Sequence, residues 1–425
     1  MHVPILQALC LVVSMAPMAA PLQPLSLPEA SRLGDDAPAV AARLAMAEAA
    51  ALRIAPAGEL PDPEALAAIQ NLPISGADAF EFGRERMTVA RVGLMQRVPN
   101  AAKREGRTAL ARSTHAARLA GVQAQRALAR RAAAQAWIER WIAERRIEVL
   151  AQMSEAWNLI VRSADAAVHG GRTAADAATA RAERARFENQ RIDARARLRA
   201  AEAALERWVG TQAGRALAPA PDFDVLDVDA LRRTVAEEAE LSPLWRELEV
   251  AADRVALAGA DKRPDWSVAA SYGARGTEFS DVVSVEFRID LPLFASRRQD
   301  PEIAARRHEL EAARSEFEDR LRARRAGLEA AIAHWHGAHE ALANLRDGVL
   351  PLQAQAADLA LADYAGGTGA LTDAVSARRD ELDARLAVLE AQAELGRAWA
   401  ALAFLHPDQA LAGTVPVATH SEVTP

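Results

Sequence analysis

The sequence predicts a mainly α chain with a small β part, made of two internal repeats that each combine long coiled-coil helices with a β-hairpin. Three observations carry this expectation: long proline-free stretches, a motif that recurs at an offset of nearly 200 residues, and a segment in which apolar and polar residues alternate strictly. Composition points the same way. Hydrophobic residues make up 51% of the chain but aromatics only 4%, because alanine supplies much of the apolar content. Alanine favours helix without adding bulk, so long helices in close contact are expected rather than a thick globular core. The net charge of −7 is mild and spread along the 425 residues, which does not suit a nucleic-acid-binding surface.

In chain order, residues 1–20 come first and read as a signal peptide. An apolar run from His2 to Ala16 is followed by small residues at Ala16, Ala19 and Ala20, where a signal peptidase could cut. No Lys or Arg precedes the run, so an N-terminal core helix is the competing reading. Cys10, the only cysteine, lies inside this segment behind Leu9, which is too large for a good lipoprotein cleavage site. A mature chain without cysteine owes nothing to disulfides or thiol chemistry. No later stretch offers the roughly 18 apolar residues of a membrane-spanning helix, so any membrane entry must use strands.

Helices follow from the spacing of proline. From Asn100 to Ala218 there is none, and reading 100–169 as one helix gives ~105 Å at about 1.5 Å per residue. That exceeds the usual globular helix and implies a coiled coil or a helical tunnel. Pro301 opens a second stretch, interrupted only by Pro351. In its returning leg, Leu382, Leu386, Leu389, Ala393, Gly396, Ala400 and Ala403 alternate by four and three residues. So do Ala384, Val388, Ala391, Leu395, Ala398, Leu402 and Leu405. Two such seams about 200° apart give the helix a neighbour on each flank, as in a ring of helices. The segment from Gly170-Gly171 to Arg181 resembles that from Gly366-Gly367 to Arg378. Each is a glycine turn followed by Asp-x-x-x-Ala-Arg, as a duplicated unit would give.

Strands are clearest in the second repeat. From Val283 to Leu291 every odd position is apolar and every even one polar, so Glu286, Arg288 and Asp290 share one face. The run from Trp266 to Tyr272 alternates too and has aromatics near both ends, which suits a barrel in an outer membrane. The matching pair in the first repeat spans 63–73 and 87–99, with Val92, Leu94 and Val98 opposite Arg91, Gly93 and Arg97. Helices at about 28–55 and 228–260 are expected to complete the legs that lead into the strands. The resulting division is a first repeat over 21–210 (hairpin about 63–99, helical hairpin about 100–210), an equatorial linker over 211–227, a second repeat over 228–406 (hairpin about 264–293, helical hairpin about 300–405) and a tail over 407–425. Four strands cannot close a barrel without bare edges in lipid, so a membrane-spanning chain of this kind must oligomerise.

These residues resemble the TolC-like outer-membrane efflux family over nearly the whole mature chain. Leu60-Pro61-Asp62-Pro63, Gln70-Asn71-Leu72-Pro73, Met87-Thr88-Val89 and Gly93-Leu94-Met95-Gln96 look like the branch serving heavy-metal (cobalt–zinc–cadmium type) exporters of the RND class. So do Lys262-Arg263-Pro264-Asp265-Trp266 and Val349-Leu350-Pro351. The resemblance implies a homotrimer with a twelve-stranded barrel in outer-membrane lipid, continued by a periplasmic α-helical tunnel. It also implies a periplasmic adaptor and an inner-membrane RND-type pump as partners. Carried over by position, Asp373 falls where the family places an aspartate ring at the tunnel tip. Asp176 takes the matching acidic position of the first repeat, and Tyr364 that of a tyrosine that takes part in gate hydrogen bonding. Ser376 and Gly369 replace the usual second ring aspartate and turn arginine. The plainer reading of both aspartates is that they start helices, where the macrodipole favours acids.

His334, His336 and His339 form the one cluster able to hold a metal, but they lack a fourth ligand, and no metal or cofactor is expected. Trp137 and Trp141 read as packing residues. No nucleophile–base set, phosphate loop or pocket-bound carboxylate pair is evident, so an enzyme is not expected. The sequence therefore favours an outer-membrane exit duct that passively conducts small solutes or metal ions. A type I protein secretion duct and a non-channel periplasmic coiled-coil or adaptor protein are the alternatives.

Overall fold

The computed structural model describes residues 23–169 and 173–405. The expected signal peptide with Cys10, the Gly170-Gly171 pair and the 407–425 tail lie outside the described residues.

The N-terminal region is broken where one helix over 28–55 was expected. It comprises α1 (Leu27–Leu33), a 3-10 turn at Gly34–Asp36, α2 (Pro38–Leu52) and the single turn α3 (Ile54–Ala57). Pro38 explains the break, because a proline disfavours helical geometry at the preceding residue and Ala37 is extended at ψ 140°. Strands β1 (Glu64–Gln70) and β2 (Val89–Val98) follow, then α4 (Ala101–His169), a single helix of 69 residues and ~104 Å. Its return leg is α5 (Ala174–Val209).

The expected helix over 228–260 is also split, into α6 (Val228–Thr234) and α7 (Ser242–Ala260). Pro243 sits in the first turn of α7, where its missing N–H costs nothing, whereas inside a longer helix it would break the ladder. Strands β3 (Asp265–Ala274) and β4 (Val282–Asp290) precede α8 (Gln299–Ala343), α9 (Leu350–Gly366) and α10 (Leu371–Ala403). Pro351 does not interrupt the α8–α9 rod. A π-helical turn at Asn344–Val349 widens the helix just ahead of it, absorbing the ring's clash with the carbonyl four residues back.

Among the described residues the strands form one antiparallel sheet in the order β1-β2-β3-β4. Next to it the helices lie side by side as α2, α4, α7 and α8, each continuous in sequence with the strand of the same rank. Further away the order is α5, α4, α10 and α9, with α4 shared by both layers. Both seams of α10 are largely buried: Leu382, Leu389 and Ala393 on one, Leu395, Ala398 and Leu402 on the other. They meet α4 on one flank and the α8–α9 rod on the other. Among the described residues, β1 and β4, α2 and α8, and α5 and α9 are left at the open edges.

The core is strung along the helices. A middle cluster gathers Trp137, Trp335, Trp399 and Phe404 around Leu25 and Leu27. Two indoles there make matching contacts. The Trp137 indole donates to the Leu25 carbonyl at 2.8 Å and the Trp335 indole to the Phe223 carbonyl at 3.0 Å, each across 112 residues. The same linkers meet as a short parallel bridge between Leu25 and Leu217. A second cluster towards the hairpin turns packs Trp157 on Phe187 with ring centroids 5.8 Å apart, and encloses Tyr364, Leu371 and Leu382.

Candidate functional site

Two regions concentrate the residues that sequence reading singled out: the faces of the sheet and the far end of the helical hairpins. Cross-strand partners in an antiparallel sheet share a face, so the register sorts the side chains. Ile289, Phe287, Val285 and Val283 of β4 lie level with Trp266, Val268, Ala270 and Tyr272 of β3. Continuing across, Val98, Leu94 and Val92 of β2 and Ala65, Ala67 and Ile69 of β1 join that face, with Gln96 the exception. None of the described residues covers it: Val283 is 75% and Phe287 72% exposed. No helix of the described residues is long and apolar enough to cross a membrane.

The opposite face carries the expected residues Glu286, Arg288 and Asp290, joined by Asp265 and Ser267 of β3, Arg91 and Arg97 of β2 and Glu64 of β1. Several of these groups are paired across or along the strands. Arg288 binds Glu286 at 2.5 Å, Arg91 Nε donates to Ser271 Oγ at 2.8 Å, and Arg97 approaches Glu64 at 3.8 Å. Gly93 belongs to this face, and a Cβ there would stand 2.6 Å from that of Ser271, so only glycine fits. At the foot of the sheet Lys103 of α4 bridges Asp265 at 2.7 Å and Asp261 at 2.9 Å, joining the two repeats. Burial disfavours its charge, but the two carboxylates outweigh this and hold Lys103 above the usual lysine range.

At the other end, Asp373 is exposed in the first turn of α10 and Asp176 half-buried in the first turn of α5. Neither carboxylate forms an ion pair among the described residues; Asp373 has only Thr372 nearby, at 3.5 Å. Tyr364 stands apart from them, 2% exposed inside the tipward cluster with Leu371 and Ala374. It anchors the turn that leads into α10. Gly367, at φ 86°, ends α9 in left-handed geometry, and the Thr368 and Gly369 amides both donate to the Asp363 carbonyl at 3.0 Å.

The recurring motif has a structural role that the sequence did not disclose. Its terminal arginine reaches back across each hairpin to an aspartate on the preceding helix: Arg181 to Asp165 at 2.8 Å, and Arg378 to Asp358 at 3.0 Å. In the second repeat this arginine is buried and also binds Glu381, itself 2% exposed and held by Arg385 at 2.7 Å. Arg379 extends the network to Glu183 of α5 at 2.5 Å and so ties the two hairpins together. The visible signal was the i, i+3 and i, i+4 spacing of Arg378, Glu381 and Arg385; their burial was not legible.

The histidines separate. His334 contacts Glu394 at 2.8 Å, His339 approaches Asp224 at 3.5 Å, and the His336 ring lies tilted beside that of Trp335, with centroids 4.8 Å apart. Among the described residues no group of three or more His, Cys, Asp and Glu side chains is placed to hold a metal.

Comparison with solved structures then places the architecture. CusC, whose structures are described in terms of transmembrane channel formation, superposes with a TM-score of 0.73 at 13% identity, over 89% of this chain and 90% of its own. VceC, an outer membrane protein of Vibrio cholerae, gives 0.70 at 19% identity over 89% and 95%. The CmeC outer membrane channel of Campylobacter jejuni gives 0.68 at 14% identity over 89% and 85%. This chain has the fold of those outer-membrane channels. Residues 230–406 match the sequence family described as outer membrane efflux protein. A search among curated proteins returned no match.

Proposed function

We propose that this protein is the outer-membrane exit duct of a tripartite efflux system. The observation that carries the reading is the division of the sheet into an exposed apolar face and an opposite charged one, directly continued by helices in the same lateral order. An apolar face of this extent is an aggregation hazard in water and a suitable surface for hydrocarbon. The open edges β1 and β4, with α2, α8, α5 and α9 on the same flanks, invite further copies of the chain. Three copies give twelve strands, with Glu286, Arg288 and Asp290 towards the lumen. The match of the second repeat to the efflux family supports this reading.

In that duct the pump supplies the energy, an adaptor joins pump to duct, and this chain contributes a passive route and a valve. A ring of Asp373 side chains, with Asp176 behind it, would concentrate cations at the narrow end. The exporter-like fragments around Leu60–Pro73 and Lys262–Trp266 favour small solutes or metal ions over secreted proteins. The test is membrane fractionation followed by single-channel recording of the purified protein in planar bilayers. Outer-membrane location with discrete, cation-preferring conductance is expected. A soluble, elongated species without conductance would overturn the duct and leave a periplasmic coiled-coil protein.

A further inference from the structure

The two β-hairpins meet inside the chain at a corner that is built of paired charges. Where β2 passes into α4 and α7 into β3, Asp265 accepts from Lys103 Nζ at 2.7 Å, and from the amide and side chain of Asn100 at 2.8 and 2.9 Å. Asp261 takes the same lysine at 2.9 Å. The strand register identifies the counterparts of these acids in the first hairpin. Counted on from Glu64 and Met95, Pro61 stands level with Val98; counted on from Asp265 and Asp290, Pro264 stands level with Leu291. Val98-Pro99 and Leu291-Pro292 follow the matching strands, so Pro61-Asp62 is the counterpart of Pro264-Asp265.

Asp62 lacks the partner that Asp265 has. It is exposed at the β1 edge with Glu59 close by in sequence, and neither carboxylate is paired among the described residues. The complementary charge stands at the opposite edge. There the connection from β4 to α8 carries Arg297-Arg298, as that from β2 to α4 leads to Lys103. The Arg298 guanidinium has no partner among the described residues and lines a cavity of about 820 Å³. Lys103, Asp265 and Asp290 line the same cavity, which puts it on the charged side of the sheet. One corner is thus complete within the chain, and the two halves of another lie at its two open edges.

We infer that the connection 58–63 of a second copy closes this cavity, with its Asp62 bound to Arg298. Transferring the β2–β3 register to the junction between copies sets Asp290 beside Glu64, Ile289 beside Ala65, Phe287 beside Ala67 and Val285 beside Ile69 of the second copy. The transfer uses backbone positions only, yet it matches apolar with apolar on the uncovered face; a shift of one residue would not. Arg298 then meets Asp62 and Glu64 of the second copy together with Asp290, a set that five fixed N–H donors serve better than the compact charge of lysine. The inference rests on the reading of the sheet as one part of a closed barrel. It adds the contact that fixes how neighbouring copies align.

The full-length protein is purified in mild detergent, and native mass spectrometry follows trimer and monomer over a dilution series. Arg298→Glu and Asp62→Arg should each weaken the contact between copies about tenfold. The double variant Arg298→Glu/Asp62→Arg exchanges the signs and should restore the parent behaviour. Register is tested separately in a Cys10→Ser background. Ile289→Cys/Ala65→Cys should oxidise to a covalent trimer, whereas Ile289→Cys/Ala67→Cys, two residues out of register, should run as monomer on a denaturing gel. A trimer indifferent to both charge reversals, single variants that the exchange does not rescue, or cross-linking of the shifted pair would refute this junction and leave the duct standing. A parent protein that is monomeric at every concentration would refute the duct with it.

Discussion

Replacing Arg378 by alanine removes the cation that, alone among the described residues, contacts both Glu381 of α10 and Asp358 of α9. The cost follows from where each carboxylate sits. Asp358 is 76% exposed at its side chain and is rehydrated at almost no cost, since exposed pairs contribute roughly 0–1 kcal/mol. Glu381 has only 3% of its side chain exposed and cannot be rehydrated, but it keeps Arg385 at 2.7 Å. Breaking a buried pair outright costs about 3–5 kcal/mol, and with one arginine left the loss should be about 2–3 kcal/mol. The tip opens locally, so hydrogen exchange across α9 and the first half of α10 is the proper assay rather than global melting. Protected amides there should exchange roughly 30- to 150-fold faster, at about 1.4 kcal/mol per factor of ten. Amides of α4 near Trp137 should be unaffected. If the cost comes from the orphaned carboxylate, the double variant Arg378→Met/Glu381→Met should recover most of the protection. An exchange change below about threefold in the single variant, or no recovery in the double, would refute the network as the fastening of this hairpin.

Three further outcomes are expected. Asp373→Ala should weaken cation preference and block by multivalent cations in planar bilayers, and unchanged selectivity would reduce Asp373 to a helix-start residue. Trp137→Phe and Trp335→Phe should each cost about 1–2 kcal/mol in thermal stability, through one lost buried hydrogen bond and a smaller ring; similar losses in the two variants would show that the repeats are energetically as well as geometrically equivalent. Glu238 is 1% exposed beside Arg324, and burial raises its carboxyl pKa more than the arginine lowers it. The folded state therefore holds that proton more tightly than the unfolded state, and stability falls as pH rises from the ordinary glutamate value through the raised one. Glu238→Gln should flatten that part of the profile and melt no lower than the parent at pH 8; a clearly lower midpoint would mean that the ion pair outweighs its burial.

What was legible in the sequence depended on periodicity. The absence of proline from Asn100 up to the Gly170-Gly171 pair was enough to predict α4, because proline is the residue that most strongly breaks a helix interior. Two interleaved 4-3 seams predicted that α10 would have neighbours on both flanks, and strict alternation placed Glu286, Arg288 and Asp290 on one face. The errors came from single prolines. Pro38 and Pro243 split helices that hydrophobic pattern alone ran together, whereas Pro351 was absorbed by a π turn instead of ending its rod. For the candidate site, the positions of Asp176 and Asp373 at helix starts could be read locally, from the glycine turns before them.

Sequence by itself determined the elements and the sidedness of the strands, since both are set by neighbours a few residues apart. Only the tertiary structure decided which distant groups meet. It carried the Trp137 and Trp335 indoles to linkers 112 residues away. It sent the three histidines to different partners, buried Tyr364 in the tipward cluster, and tied the hairpins together through Glu183 and Arg379. Those contacts depend on how rods of ~50–100 Å lie against one another. A shift of one helical turn along such a rod changes every partner while leaving its local pattern intact.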